Sequence, residues 1–462
     1  MNIEVELAKY IANIRYEHLP RDVVNSTKNC IIDTLGVAIA GSSYSVCDSL
    51  VNQVKSWAGK EESTIWVYGG KVPCQNAAMV NGTMARSLDF GGVYEKAATH
   101  PNETIIPAAL ALAERGKISG KDLIAAVTVG IDLTCRLRLA LKRGRGFVGE
   151  SVFGASAAAS KILNLDEGAT LNALGISFCF AAGTYQMVLE NASYMHVSHG
   201  MRASTGILSG ILAQQGVTGP KNFLEGKYGL YSVYENKEDC ELDELTRGLG
   251  EHFESSNISI KPYPACRFTH SAIYGALALI EENHVEPQDI DEITVGVNQL
   301  AYELNCVPED KKIKPQQPIE AQFSIPYLIG AAVVKRDVFI EHVTDNQVLE
   351  NSAILEVAQK VKCYIDRDME KTYTINGSMG AKVEIKIKGG EKLEKSVSAA
   401  LGHPDNPLSL AQVAEKFRKC WLYAAGSLPQ GNIDKTIETL SILEQIRDIS
   451  PLSDLIVRTE CP

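Results

Sequence analysis

The sequence predicts a mainly α protein: a large all-helical domain with a smaller α+β domain inserted before its last helices. Three observations carry that reading. Apolar residues recur at helical spacing through the first 265 residues, strand-type alternation begins only after Pro264, and the helical pattern returns after Pro407. The chain has 462 residues, enough for two or three domains and a large core. The boundaries read as 1–265 plus 403–462 for the helical domain and 266–402 for the α+β one.

Ile3, Leu7, Ile11 and Ile14 open the first helix, which Leu19-Pro20 ends. Residues 23–40 follow, apolar at Val24, Ile31, Leu35 and Ile39, with Gly41 as the stop. Residues 104–115 form an alanine-rich helix halted by Gly116, and Ser119 is the expected N-cap for residues 123–141. Residues 155–163 and 169–182 are helices rich in small residues, which permit close helix approach. In the second domain, residues 290–297 have strand composition. Residues 382–388 alternate Val383, Ile385 and Ile387 with charges, and Gly389-Gly390 turns the chain into residues 393–397 as a hairpin. Helices are expected at 272–282, 325–334 and 347–360, then after Ser409 and over 432–449.

Composition excludes several classes. Hydrophobic residues make up 45% and charged residues 22%, a globular balance far from that of a disordered chain. A formal net charge of −11 argues against nucleic acid or an anionic membrane surface as partner. No run of about 18 apolar residues is available to span a bilayer. Met1-Asn2-Ile3-Glu4 carries no basic-then-apolar leader, so a cytoplasmic protein is expected. The eleven cysteines form no Cys-x-x-Cys pair and read as buried small hydrophobes rather than disulfide or zinc ligands.

The chemistry-bearing motifs are few. Gly144, Gly146 and Gly149 spell Gly-x-Gly-x-x-Gly, but a helix rather than a strand precedes them, so a loop is expected and not a dinucleotide site. His196 and His199 could share a helical face, yet no carboxylate cluster beside them completes a metal site. Neither a Gly-x-Ser-x-Gly elbow nor a Walker sequence occurs. Cys266 and His270 are four apart with nothing beside them to activate a thiolate.

Three segments concentrate polar groups in apolar surroundings. Ser87 to Tyr94 followed by Ala98 to Glu103 brings Asp89, a glycine pair and His100 just before a helix N-terminus, where acid, base and helix-end amides could meet. The plainer alternative is a capping aspartate and a turn histidine. Lys261-Pro262-Tyr263-Pro264 stiffens a lysine at the junction of the two domains, and Gln322 to Tyr327 is an aromatic helix entry.

Together with the opening Cys30-Ile31-Ile32-Asp33-Thr34-Leu35-Gly36 and the alanine-rich run from Gly154 to Lys161, these segments resemble the MmgE/PrpD family in order and spacing over nearly the whole chain. That family includes 2-methylcitrate dehydratase, cis-aconitate decarboxylase and iminodisuccinate epimerase. The resemblance implies a helical domain with an α+β lid, a homodimer, and metal-free, cofactor-free chemistry on a small carboxylate substrate. It also implies catalytic roles for Asp89, His100, Lys261 and Tyr327. Removing a proton next to a carboxylate builds negative charge there, which a lysine or histidine cation would stabilise; alternatively Lys261 is the base.

The chain also departs from the family. Asp89-Phe90-Gly91-Gly92-Val93 stands where relatives carry Asp-Phe-Asp-Asp-Thr. Arg145 or Val148 replaces a family histidine, and Ser193 stands nearest to a missing family lysine. Arg145, His196, His199 and Arg202 are the candidate substrate-binding residues that could compensate. The expected activity is a cofactor-independent lyase, first a dehydratase. An epimerase, a decarboxylase and a non-catalytic carboxylate binder are the alternatives.

Overall fold

The computed structural model describes residues 2–141, 146–190, 192–235, 237–424, 426 and 428–458. The chain divides into two compact units, Met1–Ile258 with Ser409–Pro462, and Ser259–Leu408. Both are rich in helix, so the fold is mainly α as expected, and the single four-stranded sheet among the described residues lies in the second unit. The division falls six or seven residues outside the expected boundaries, and the backbone explains why. The Ile260 amide donates to the Gly402 carbonyl at 3.0 Å, and the Gly402 amide to that of Asn406 at 2.8 Å. Entering and leaving segments are thereby tied together inside the second unit. Gly402 takes φ +88, and a Cβ there would lie 1.9 Å from the Ile260 oxygen.

The first unit is built on helices that include Arg21–Gly41, Cys74–Arg86, Asn102–Gly116, Gly120–Ala140, Ser151–Ile162 and Tyr194–Gln214. Ser119 caps Gly120–Ala140 as expected, its hydroxyl accepting from the Asp122 amide. Gly116 is the last residue of its helix rather than the stop; Lys117 makes the left-handed exit at φ +51. Cys74–Arg86 and Tyr194–Gln214 begin without a side-chain cap, which is why the sequence leaves their bounds unmarked. Small residues set how closely they pack. A methyl on Gly82 would lie 2.9 Å from the Gly200 Cα, and one on Gly200 only 1.9 Å from the Met79 carbonyl oxygen. Gly206 meets Ala155, and Gly130 meets Gly154, in the same way. No single described helix is long and apolar enough to cross a membrane.

In the second unit the strand order is Val361–Ile365, Ile290–Val297, Ala381–Ile387, Lys392–Val397. The first pair is parallel and the others antiparallel, with Ile293 opposite Ile385 and Val295 opposite Val383. Those residues are buried, while Thr294 and Glu384 pair on the alternate face. Gly275 of the His270–Glu282 helix lets that helix lie on the buried face; a Cβ there would be 2.9 Å from Val383. The helix expected over 347–360 is broken in two, Asn346–Leu349 and Ser352–Ala358. Asn351 caps the second piece by accepting from the Ala353 and Ile354 amides. The helix expected over 432–449 stops at Ser441.

Candidate functional site

The Asp89 segment begins where the Cys74–Arg86 helix ends. Ser87 closes the last turn, and Asp89 takes φ +48, a left-handed conformation unusual for a residue with a Cβ. The turn folds the Asp89 carboxylate back onto Arg86, whose guanidinium donates to it; both groups are buried. Burial opposes the Arg86 charge, but the neighbouring Asp89 and Glu103 carboxylates hold it firmly protonated. Asp89 is therefore an ion-paired carboxylate, and Arg86 is the partner that sequence reasoning missed. The i, i+3 spacing of an arginine closing an otherwise uncharged helix was the available signal.

The chain then doubles back. Tyr94 and Thr99 exchange main-chain hydrogen bonds of 2.8 and 3.3 Å, with Ala98 left-handed between them, and this narrow loop returns His100 to Gly92. His100 Nδ1 lies 3.1 Å from the Gly92 carbonyl oxygen. A carbonyl only accepts, so Nδ1 carries the proton, and in the neutral ring Nε2 keeps its lone pair. No described residue hydrogen-bonds Nε2.

Glu103, in the first turn of Asn102–Gly116, is fully buried with Oε1 3.6 Å from His100 Nδ1. Neither of its oxygens accepts a hydrogen bond from a described residue. The glycine pair makes room for it: a Cβ on Gly91 would sit 2.4 Å from Glu103 Oε1, and one on Gly92 would sit 2.6 Å from Asn102 Nδ2. The Asp89–Tyr94 loop thus packs against a carboxylate supplied by the next helix.

The Tyr194–Gln214 helix presents His196, His199 and Arg202, three residues apart each time. The His196 Nδ1–H donates to the Arg86 carbonyl at 3.2 Å, and His199 Nδ1 pairs with the Thr104 hydroxyl at 3.1 Å. Burial and the nearby arginines push His196 down to about 4 and His199 well below the ordinary range, so both rings are neutral at pH 7. Arg202 is 7% exposed, and its guanidinium makes no hydrogen bond or ion pair with any described residue. Burial pulls its pKa down, while the Glu150 carboxylate is the strongest influence pulling it up. Glu150 is itself buried: Oε1 accepts from the Thr99 hydroxyl at 2.6 Å, and Oε2 accepts from no described residue. Arg145 lies outside the described residues.

Two expected residues belong to the second unit. Lys261 is 1% exposed, on the segment pinned by Gly402. Tyr327 enters the Ile325–Lys335 helix behind the Ser324 cap. Its hydroxyl, expected to face a reacting group, instead donates to the His342 carbonyl at 2.7 Å, with the ring fully buried. Burial raises its pKa above the ordinary tyrosine range, so the group is a core strut rather than an available acid. The second and third sequence segments do meet within this unit. The Cys266 amide donates to the Gln322 carbonyl at 2.9 Å, and the Gln322 side chain to the Pro264 carbonyl at 3.3 Å. His270 bonds Arg267 and the Ala265 carbonyl. Among the described residues, no group of three or more His, Cys, Asp or Glu side chains is arranged to hold a metal ion.

Comparison with known proteins matches residues 5–243 to the MmgE/PrpD N-terminal domain and residues 263–441 to the MmgE/PrpD C-terminal domain. A cis-aconitate decarboxylase of Aspergillus terreus is 27% identical, covering 99% of this chain and 96% of its own length. The cis-aconitate decarboxylase of Homo sapiens is 26% identical over 98% and 94%, respectively. The 2-methylcitrate dehydratase of Salmonella typhimurium is 21% identical over 90% and 89%.

Proposed function

The chain belongs to the MmgE/PrpD family, and from that premise we propose that it is a cofactor-independent lyase acting on a small polycarboxylic acid. Arg202 carries the reading. A buried guanidinium without a partner among the described residues is costly to maintain, and a substrate carboxylate is the group that would satisfy it bidentately.

His100 is the proposed base. Its unbonded Nε2 takes the proton from the carbon next to the carboxylate, and the negative charge spreads onto that carboxylate beside Arg202. In the dehydratase form the neighbouring C–O bond breaks and the hydroxyl leaves as water after receiving a proton. Neutral His196 and His199 would hydrogen-bond the substrate without adding charge. Lys261 is retained as a second cation or the base on the family resemblance alone; Tyr327 takes no part. Decarboxylation is the second reading, favoured by the decarboxylase relatives, which match more of the chain at higher identity than the dehydratase of Salmonella typhimurium. There the C–C bond breaks, CO2 departs and the carbanion takes a proton.

Steady-state kinetics of three variants test the proposal. Arg202→Met should raise KM roughly 10²-fold with a smaller change in kcat, because the arginine binds a carboxylate present throughout the reaction. His100→Gln should lower kcat by about 10² to 10⁴-fold. Lys261→Ala should abolish turnover. An Arg202→Met enzyme with unchanged KM would remove the observation on which the proposal stands.

A further inference from the structure

The Asp33 segment, which the proposed chemistry leaves without a role, lies against the last long helix of the first unit. Asp33 and Gly36 are one turn apart on Arg21–Gly41 and face Leu410–Leu422. Gly36 permits the approach, since a Cβ there would lie 3.0 Å from the Phe417 ring and 3.2 Å from its Cα. Asp33 is 1% exposed, and its Oδ1 lies 2.6 Å from the ammonium of Lys416, a residue 7% exposed. That ammonium also donates to the Phe90 carbonyl at 2.8 Å and sits 3.7 Å from the centre of the Phe90 ring.

Phe90 follows Asp89, the residue in the left-handed turn. We propose that Lys416, held by Asp33, is a positioning residue: it clamps the Phe90 peptide and ring and so keeps Asp89 turned onto Arg86. The inference rests on the reading of the Asp89–His100 loop as the reacting site and adds to it a brace from a segment over 300 positions later in the chain. Three features point to positioning rather than fold stability alone. A buried ion pair adds little stability over an apolar pair of similar volume. A strained φ persists only where its surroundings fix it. And the lysine reaches past its partner helix to a carbonyl of the loop itself.

The experiment compares Lys416→Met, Lys416→Arg, the double variant Asp33→Asn/Lys416→Met and Asp89→Asn in the full-length chain. Lys416→Met should destabilise the protein by removing the cation that faces the buried Asp33 carboxylate; the double variant should recover most of the lost melting temperature. Hydrogen exchange in a peptide spanning residues 87–94 should rise at least tenfold in both. kcat should fall roughly 10²-fold in both with KM nearly unchanged, the scale expected when a reacting group is displaced by about 1 Å. Lys416→Arg, which keeps the charge and a donor, should recover part of the activity. Unchanged exchange in that peptide, or a double variant with wild-type kcat, would overturn the proposal. If Asp89→Asn keeps full turnover, the positioning of Asp89 has no consequence and this inference falls, while the site reading falls only if His100→Gln also keeps full turnover.

Discussion

Gly91 and Glu103 compete for one volume, and that competition leaves no room for a side chain at position 91. Gly91→Ala would push a methyl to within 2.4 Å of Glu103 Oε1 in a fully buried setting. It should destabilise the fold by about 1–3 kcal/mol, the usual scale of overpacking. Adding Glu103→Ala should relieve most of that loss, and thermal denaturation of the two single variants and the double variant reads the coupling. The histidines give a pH dependence of definite sign. In the unfolded chain His196 and His199 take up protons near the ordinary 6.5, whereas in the fold His196 does so only near 4 and His199 is also held well below 6.5. The unfolded state therefore binds more protons over that interval, and stability should fall as pH drops from about 6.5 towards 4. Replacing both rings by glutamine should flatten that limb of a melting temperature–pH profile. At this scale the sequence makes Asp89 and His100 legible as one loop. Arg86 and Glu103 each stand three residues from their partners, a local signal that spacing alone leaves unranked, whereas the meeting of Glu150 with Thr99 depends on packing between segments 51 residues apart. Nor could the sequence reveal that the Tyr327 hydroxyl serves a backbone carbonyl.

The helices carrying these residues are set by glycine contacts, and one such contact governs the His199 position. Gly200 stands with Met79 and Gly82 across the interface between Cys74–Arg86 and Tyr194–Gln214. Gly200→Ala would place a methyl 1.9 Å from the Met79 carbonyl oxygen, so the helices must separate. We expect a loss of at least 2 kcal/mol by overpacking in a dense core, with kcat falling alongside because Arg86 and His199 ride on the two helices. Denaturant unfolding and kinetics on the same sample check both. Elements with strong local signals are legible in sequence. Residues 290–297 form a strand over the expected span, and Ser119 and Ser409 cap the expected helices. Where local pattern was continuous the reading failed. Residues 347–360 look helical throughout, yet Asn351 breaks them, and Val361–Ile365 follows as a strand with only a short turn between. Its pairing with Ile290–Val297 is a long-range contact that no local period encodes.

At the scale of the molecule, the composition change at Pro264 and the return of helix after Pro407 mark an inserted unit, and hydrogen bonding around Gly402 sets where it begins and ends. The first unit leaves Phe180, Tyr185, Leu189, Tyr194 and Met201 exposed within one stretch of chain. A homodimer, proposed on the family resemblance, would cover such a surface, and large apolar patches commonly mark interfaces. Light scattering at micromolar concentration should return twice the mass of the chain; the monomer mass would remove that proposal. The central claim is the chemistry, and proton NMR in D2O reads it most directly. EDTA-treated protein would be incubated with 2-methylcitrate, citrate, cis-aconitate and an epimerisable amino-dicarboxylate, with His100→Gln as the control. Loss of water or CO2 from at least one of them is expected, slowed by about 10²-fold or more in the variant. Deuterium entering an α-carbon without net loss of water or CO2, or every compound recovered unchanged, would contradict that claim.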